Sequence, residues 1–299
     1  MGGSGGGAMI TPTAGRLAAG NGFTCALDQA GGVSCFGDLR GLSANVASAD
    51  FKFISASISH ICAVANSGGI TCWTNGTTDG EIDDNVPAGS FDVVEVGGGD
   101  LEEFACAWKT GQPPVCWRDA DRPPLANQRK PPAGQVFTAL ALAEHHGCGL
   151  TGADGAIACW GPNTLDVIKA VPAGRHSAVS SGRFFSCALQ ADTGRPFCWG
   201  LNDYFGDHFK KLSFASLASS ADERITCAVR KDGRVYCGTT SGAYQEPQDK
   251  ALRFREVAVG RQHACGATVD DRVSCWTALT GGAAAKLTTV PAELRLMTR

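Results

Sequence analysis

The chain has 299 residues, 43% of them hydrophobic and 18% charged, which excludes a disordered protein and supplies enough apolar side chains for a large core. A net charge of −3 without a Lys/Arg run argues against a nucleic-acid partner. The longest apolar stretch, residues 136–143, is far shorter than the roughly 18 residues a membrane helix needs.

Residues 1–9, MGGSGGGAM, combine a start Met with linker composition and no apolar h-region, so they read as an expression tag with any signal peptide outside the sequence. Residues 10–299 read as one domain. The segment ITPTAG at 10–15 resembles TVPAE at 289–293, which predicts that both ends contribute strands to one blade. The fourteen cysteines then fall into pairs: Cys25 with Cys35, Cys62 with Cys72, Cys106 with Cys116, Cys148 with Cys159, Cys187 with Cys198, Cys227 with Cys237, and Cys265 with Cys275. The first member recurs every 37–44 residues, the self-similarity of a repeat architecture.

Within each pair the residues alternate as in strands, with Phe23, Cys25 and Leu27 on one face, and the midpoint falls on a turn such as GADG at 152–155 or KDG at 231–233. Each pair therefore brackets a hairpin and faces its partner across it, predicting seven intra-blade disulfides. Each such ring contributes about 3 kcal/mol at most by the chain-entropy argument. A further strand precedes each first cysteine, as in FDVVEVG at 91–97, VFTALAL at 136–142 and FREVAVG at 254–260, with a VPAG-like segment before it at 86–89, 131–134 and 171–174. The expected fold is thus all-β, a seven-bladed propeller of four-stranded antiparallel blades.

Disulfides at this density imply an oxidising compartment, secreted, periplasmic or cell-surface. Zinc would need C-x₂₋₄-C groupings, which the sequence lacks, so neither a metal nor another cofactor is expected.

The phrase SGRFFSCALQADTGRPFCWG at 181–200 resembles the repeat of the regulator of chromosome condensation superfamily, over the whole chain after the tag. The paired cysteines are similar to those of CRINKLY-type plant receptor kinase ectodomains, and the VPA joints to those of propeller-type β-lactamase inhibitor proteins. The chain lacks the G-Q-L-G phrase after C-W-G and carries Gly238 where other blades have Trp or Phe. The resemblance implies a propeller and a binding role, as a receptor ectodomain or an inhibitor of an extracellular enzyme.

Phe36, Trp73, Trp117, Trp160, Trp199 and Trp276 recur after the second cysteine, so they read as packing between blades rather than a glycan platform. His60, His146 and His263 occupy a position filled elsewhere by Phe23, Phe104, Phe185 and Ile225, and read as packed rings whose replacement by Phe alters stability by no more than about 1–2 kcal/mol. Asp83 with Asp84 and Glu102 with Glu103 are adjacent acids without the spacing of a hydrolase, so catalysis is not expected. Asn75-Gly76-Thr77 is a glycosylation sequon in an expected loop.

Antiparallel hairpins bring the segments before the first cysteine strand and after the second onto one face of the disc. There the blades differ in chemistry: Glu102, Glu103, His145, Arg183, Phe184, Arg224 and Arg261 on one set of loops, Tyr204 and Phe205 on the other. Aromatic, Arg and acidic residues on short loops are the composition of a recognition face for a protein, peptide or glycan, with Phe184 and Tyr204 as its expected anchor. The protein is expected to act as a monomer.

Overall fold

The computed structural model describes residues 15–40, 42, 45–47, 50–75, 82, 85–99, 103–118, 130–152, 154–162, 166–201, 207–220, 225–239, 246–247, 249–277 and 289–297. They form seven antiparallel sheets. The first holds β1 (Leu17–Ala19), β2 (Phe23–Leu27), β3 (Val33–Gly37) and β4 (Asn45–Ala47). The second and third comprise β5 (Phe51–Ala56), β6 (His60–Ala65) and β7 (Ile70–Thr74), then β8 (Val93–Gly98), β9 (Glu103–Trp108) and β10 (Val115–Trp117). Next come β11 (Phe137–Leu142), β12 (Gly147–Thr151) and β13 (Ala156–Trp160), and β14 (His176–Gly182), β15 (Phe185–Gln190) and β16 (Pro196–Gly200). A short helix α1 (Asp207–Lys211) leads to β17 (Phe214–Ser219), β18 (Ile225–Arg230) and β19 (Val235–Thr239), and the last sheet is β20 (Phe254–Val259), β21 (His263–Thr268) and β22 (Val273–Thr277). The first strand of each sheet packs against the first strands of both neighbours, β20 against β1 included, so the sheets close into a ring around an axial channel.

All seven expected disulfides are present: Cys25 to Cys35, Cys62 to Cys72, Cys106 to Cys116, Cys148 to Cys159, Cys187 to Cys198, Cys227 to Cys237, and Cys265 to Cys275. In every hairpin the two cysteines stand directly opposite in the strand register, and the turn absorbs the difference between separations of 10 and 11 residues. The expectation of four strands per blade is met in the first blade, by β4. Among the described residues the other blades have three, and the VPAG-like segments form no ladder. Pro87, Pro132 and Pro172 have no amide to donate there, which disfavours a ladder in these segments themselves.

Six of the seven seams between successive blades are latched on the turn face by one repeated bond, the seam from the third to the fourth blade excepted among the described residues. The turn glycines Gly31, Gly68, Gly155, Gly194 and Gly233 adopt positive φ, and each carbonyl accepts from the amide that opens the next inner strand, at Phe51, Phe91, His176, Phe214 and Phe254. In the last blade Asp271, also at positive φ, takes the glycine's place and accepts from Leu296. Leu296 bridges Asp28, Met297 donates to the Leu27 carbonyl, and Leu27 donates to Arg16. The C-terminal residues thus stand where an inner strand begins and residues 16–19 complete it, the joint expected from the two ends.

The tryptophans pack between blades. Trp73, Trp117, Trp160, Trp199 and Trp276 each join a cluster that includes residues of the preceding blade, as Phe36 does with the last. The Trp117 and Trp199 indoles donate to the carbonyls of Ile82 and Val167, at 2.8 and 2.7 Å, in the connections entering their own blades. In the sixth blade, where Gly238 replaces the indole, Phe209 of α1 occupies the corresponding connection and fills the seam against Phe214, 4.7 Å between ring centroids.

The three histidines do more than pack. His146 bonds Ser186 at 2.8 Å, His263 bonds Thr24 at 2.7 Å, and His60 bonds Glu103, each partner lying in the following blade. Burial holds the His146 and His263 imidazoles at about 3 and about 4, well below the ordinary histidine value, so both are neutral in the fold. An unfolded chain binds protons at these sites that the native state refuses, so their stabilisation is full above about pH 6.5 and is lost as pH falls toward the folded values. Denaturant midpoints measured from pH 7 to 4 should therefore fall less steeply for a His146→Phe/His263→Phe variant than for the parent, and parallel curves would contradict this.

Asn75 is only 4% exposed, and its Nδ2, the atom a glycan would occupy, donates to the Asp38 carbonyl at 3.0 Å. Asn75 follows β7 in a bend, in keeping with the loop expectation, but its amide ties the second blade to the first. Mass spectrometry of protein secreted from eukaryotic cells should find Asn75 unmodified in the folded fraction; a glycan there in natively folded protein would overturn the assignment.

Candidate functional site

The face that gathers the strand-entry loops is laced by backbone bonds between blades. Asn21 donates to Ile58 at 2.9 Å and Arg261 to Gly20 at 3.3 Å, so these loops project from a rigid rim. On it, the loop after β11 presents Glu144 and His145, and the loop after β14 presents Arg183 and Phe184.

These four side chains meet across the seam of the fourth and fifth blades. His145 stacks on Phe184, centroids 5.1 Å apart at 23°, and the Arg183 guanidinium lies over the same ring at 5.3 Å. Beneath them the Glu144 carboxylate is 3% exposed, with Arg183 Nε at 2.8 Å and His145 Nε2 at 3.7 Å. Glu144 reaches that depth because Gly99 of the third blade has no side chain; a Cβ there would stand 2.4 Å from Glu144 carbons. The acid and the base are in ionic contact without an aligned hydrogen bond, and the base lies over the ring. Arg183 nevertheless remains 39% exposed, leaving a cation and an aromatic edge open to a partner.

Glu103 is placed differently. Its side chain turns into the seam of the second and third blades, 8% exposed, where it accepts from His60, from the Ser59 hydroxyl at 2.6 Å and from the Ser59 amide at 3.1 Å. Burial pushes its carboxyl up, but the bonds from His60 and Ser59 outweigh that and hold it below the ordinary range. Ser59 and Glu103 both engage the Nδ1 side of His60, Ser59 at 3.2 Å, so the trio lacks the two-sided imidazole of a hydrolytic relay. It is a structural tie.

Arg261 lies at the rim of the axial channel, beside Gly260 and Gly20. Glu102, Tyr204, Phe205 and Arg224 lie outside the described residues, as do Asp83 and Asp84. The structure therefore brings together His145, Arg183 and Phe184, adds Glu144 beneath them, and separates Glu103 from them.

Sequence reasoning passes over a further acid, Glu95. It projects from β8 into the channel, where Ser55 of the neighbouring inner strand donates to it over a long 3.4 Å. Desolvation pushes its carboxyl up to about 8. Aligning the repeats on the aromatic that opens the inner strand would reveal it, since the matching residues elsewhere are Ala18, Ser55, Ala141, Ser180, Ala218 and Ala258.

With this geometry established, comparison with known proteins locates the fold. The Physcomitrella patens receptor kinase CR4 ectodomain superposes with a TM-score of 0.68 and 22% identity, covering 88% of this chain and 73% of that one. The CRINKLY WD40 ectodomain of the Arabidopsis thaliana receptor kinase ACR4 gives 0.58 and 23%, covering 77% and 80%. The fold is that of the CRINKLY-type receptor ectodomains. In sequence, the chain is 28% identical over 123 residues to the Arabidopsis thaliana serine/threonine-protein kinase-like protein CCR2, a match spanning 33% of this chain and 16% of that protein. No family model matches the sequence. Among the described residues no helix is long and apolar enough to cross a membrane, and no three His, Cys, Asp or Glu side chains converge as metal ligands. Seven disulfides point to an oxidising or extracellular setting.

Proposed function

We propose that the protein is an extracellular recognition module, secreted or at a cell surface, that binds a protein or peptide through the loop face, with Phe184, His145 and Arg183 at its centre. The observation that supports this most is the stack of these three groups over a buried carboxylate. A cation and an aromatic held in fixed rotamers lose little entropy on binding, and such residues dominate the energetics of protein interfaces. The ectodomain origin of the similar structures agrees with a ligand-binding role. The exposed guanidinium favours an acidic or carboxylate-bearing partner with an apolar group beside the charge.

Panning a displayed peptide library on the immobilised protein tests this, with counter-selection on a His145→Ala/Phe184→Ala variant that keeps Arg183 on Glu144. Peptides that are retained by the parent and lost by the variant are expected, enriched in Asp or Glu beside an apolar residue. Binders indifferent to the substitution would overturn the assignment.

A further inference from the structure

We propose that the axial channel is a binding site for a primary ammonium group, with the Glu95 carboxylate as its counter-ion. At the level of Glu95 the other inner strands present Ala18, Ser55, Ala141, Ser180, Ala218 and Ala258, all of which line the channel with it. Small side chains around the whole ring leave an axial space, and a single carboxylate projects into it.

That space is a cavity of about 120 Å³, continued toward the loop face by a second of about 60 Å³, and Glu95 lines both. The upper cavity is bounded by Ser57, Ser180, Ser181 and Ser220 and opens beside Arg261. The lower cavity adds Ser55 and Ser219 to the apolar side chains Leu17, Phe53 and Val93.

Glu95 is under-served by its own protein. The Ser55 hydroxyl that donates to it already accepts from the Val96 amide at 3.1 Å. Among the described residues lining the channel, Glu95 is the single acid, and Arg261, at the rim, the single base. An ammonium donates three hydrogen bonds in compact space, which suits one carboxylate surrounded by hydroxyls. A multivalent metal would need a larger donor set than one carboxylate offers.

The proton balance follows from burial, which keeps the free carboxyl protonated near neutrality. An entering ammonium ionises it: the carboxylic acid and R-NH₃⁺ become a carboxylate–ammonium pair, and the acid's proton leaves to solvent. The same chemistry reaches the channel as a lysine side chain or as an amino terminus, and the aromatic patch at His145 and Phe184 is not needed for it.

Calorimetric titration of the intact chain near pH 6.5 tests the site, with n-butylammonium as the lysine mimic, glycinamide as the amino-terminal mimic and butan-1-ol as the uncharged control. Two buffers of different ionisation enthalpy count the protons. One amine, and not the alcohol, should bind at one site with release of roughly one proton. Glu95→Gln should weaken it by about tenfold or more, the worth of a charge-assisted pair. His145→Ala/Phe184→Ala should bind the amine as the parent does, so failure of the loop-face reading and failure of this one are distinguishable. Glu95→Gln must keep the parent's circular dichroism; Glu95→Ser, matching the other blades, serves if it does not. No saturable amine binding, binding without proton release, or binding unchanged by both Glu95 variants would overturn the proposal.

Discussion

Replacing Arg16 by Met should lower the free energy of unfolding by about 3–5 kcal/mol, the cost of leaving a buried acid without its partner. Arg16 is 4% exposed on its side chain and sits where the two chain ends meet. Its Nε pairs with Glu256 at 3.0 Å, and its Nη1 with Asp271 at 3.0 Å and with the Met297 carbonyl at 2.9 Å. Glu256 is 8% exposed and loses its ion-pair partner, whereas Asp271 keeps Arg255 at 3.2 Å. The same bonds join the first blade, the last blade and the C-terminal segment, so the loss falls on ring closure. An Arg16→Met/Glu256→Met double variant should recover most of the stability, because both charges are then gone. Urea unfolding of the three proteins measures this; a single variant within about 1 kcal/mol of the parent would show that the ring closes without the pair.

Phe209→Ala should be as damaging, by about 3–5 kcal/mol, the range for truncating a buried Phe. The ring is 1% exposed and packs with residues of the fifth and sixth blades, and the sixth blade carries Gly238 at the position of the tryptophan in other blades. If the two residues share one volume, Gly238→Trp alone should overpack the seam, while Phe209→Val/Gly238→Trp should be more stable than either single change. Additive losses in the double variant would mean that the positions do not communicate.

The fold is legible because the cysteines state it twice, in period and in hairpin midpoint. A covalent bond between opposed residues such as Cys62 and Cys72 fixes register, and register fixes which side chains face inward. The fourth strand is seen in the first blade, as β4; elsewhere the VPAG-like segments form no ladder among the described residues, their prolines having no amide to donate. The histidines are half read. Exchange with Phe correctly indicates burial, but each ring's partner lies a full repeat downstream, Ser186 for His146 and Thr24, across the closure, for His263, beyond any local pattern.

For the candidate site, strand polarity puts His145, Arg183 and Phe184 on one face. The expected pairing of Phe184 is with Tyr204, which lies outside the described residues, whereas the structure stacks Phe184 on His145. Strand polarity does not separate Glu103, which looks like a loop acid yet turns inward because His60 and Ser59 satisfy it. Nor does composition reveal Glu95, a single exception in a repeated position.

The loop-face claim is tested most directly by affinity across the two faces of the disc. For any peptide selected on the parent protein, Kd is measured for His145→Ala/Phe184→Ala and for Asp232→Ala/Asp270→Ala, whose acids lie on the exposed hairpin turns of the opposite face. The loop-face variant should lose at least about 2 kcal/mol of binding, roughly thirtyfold, while the turn-face variant changes little. Equal losses from both, or loss from the turn-face variant alone, would contradict it.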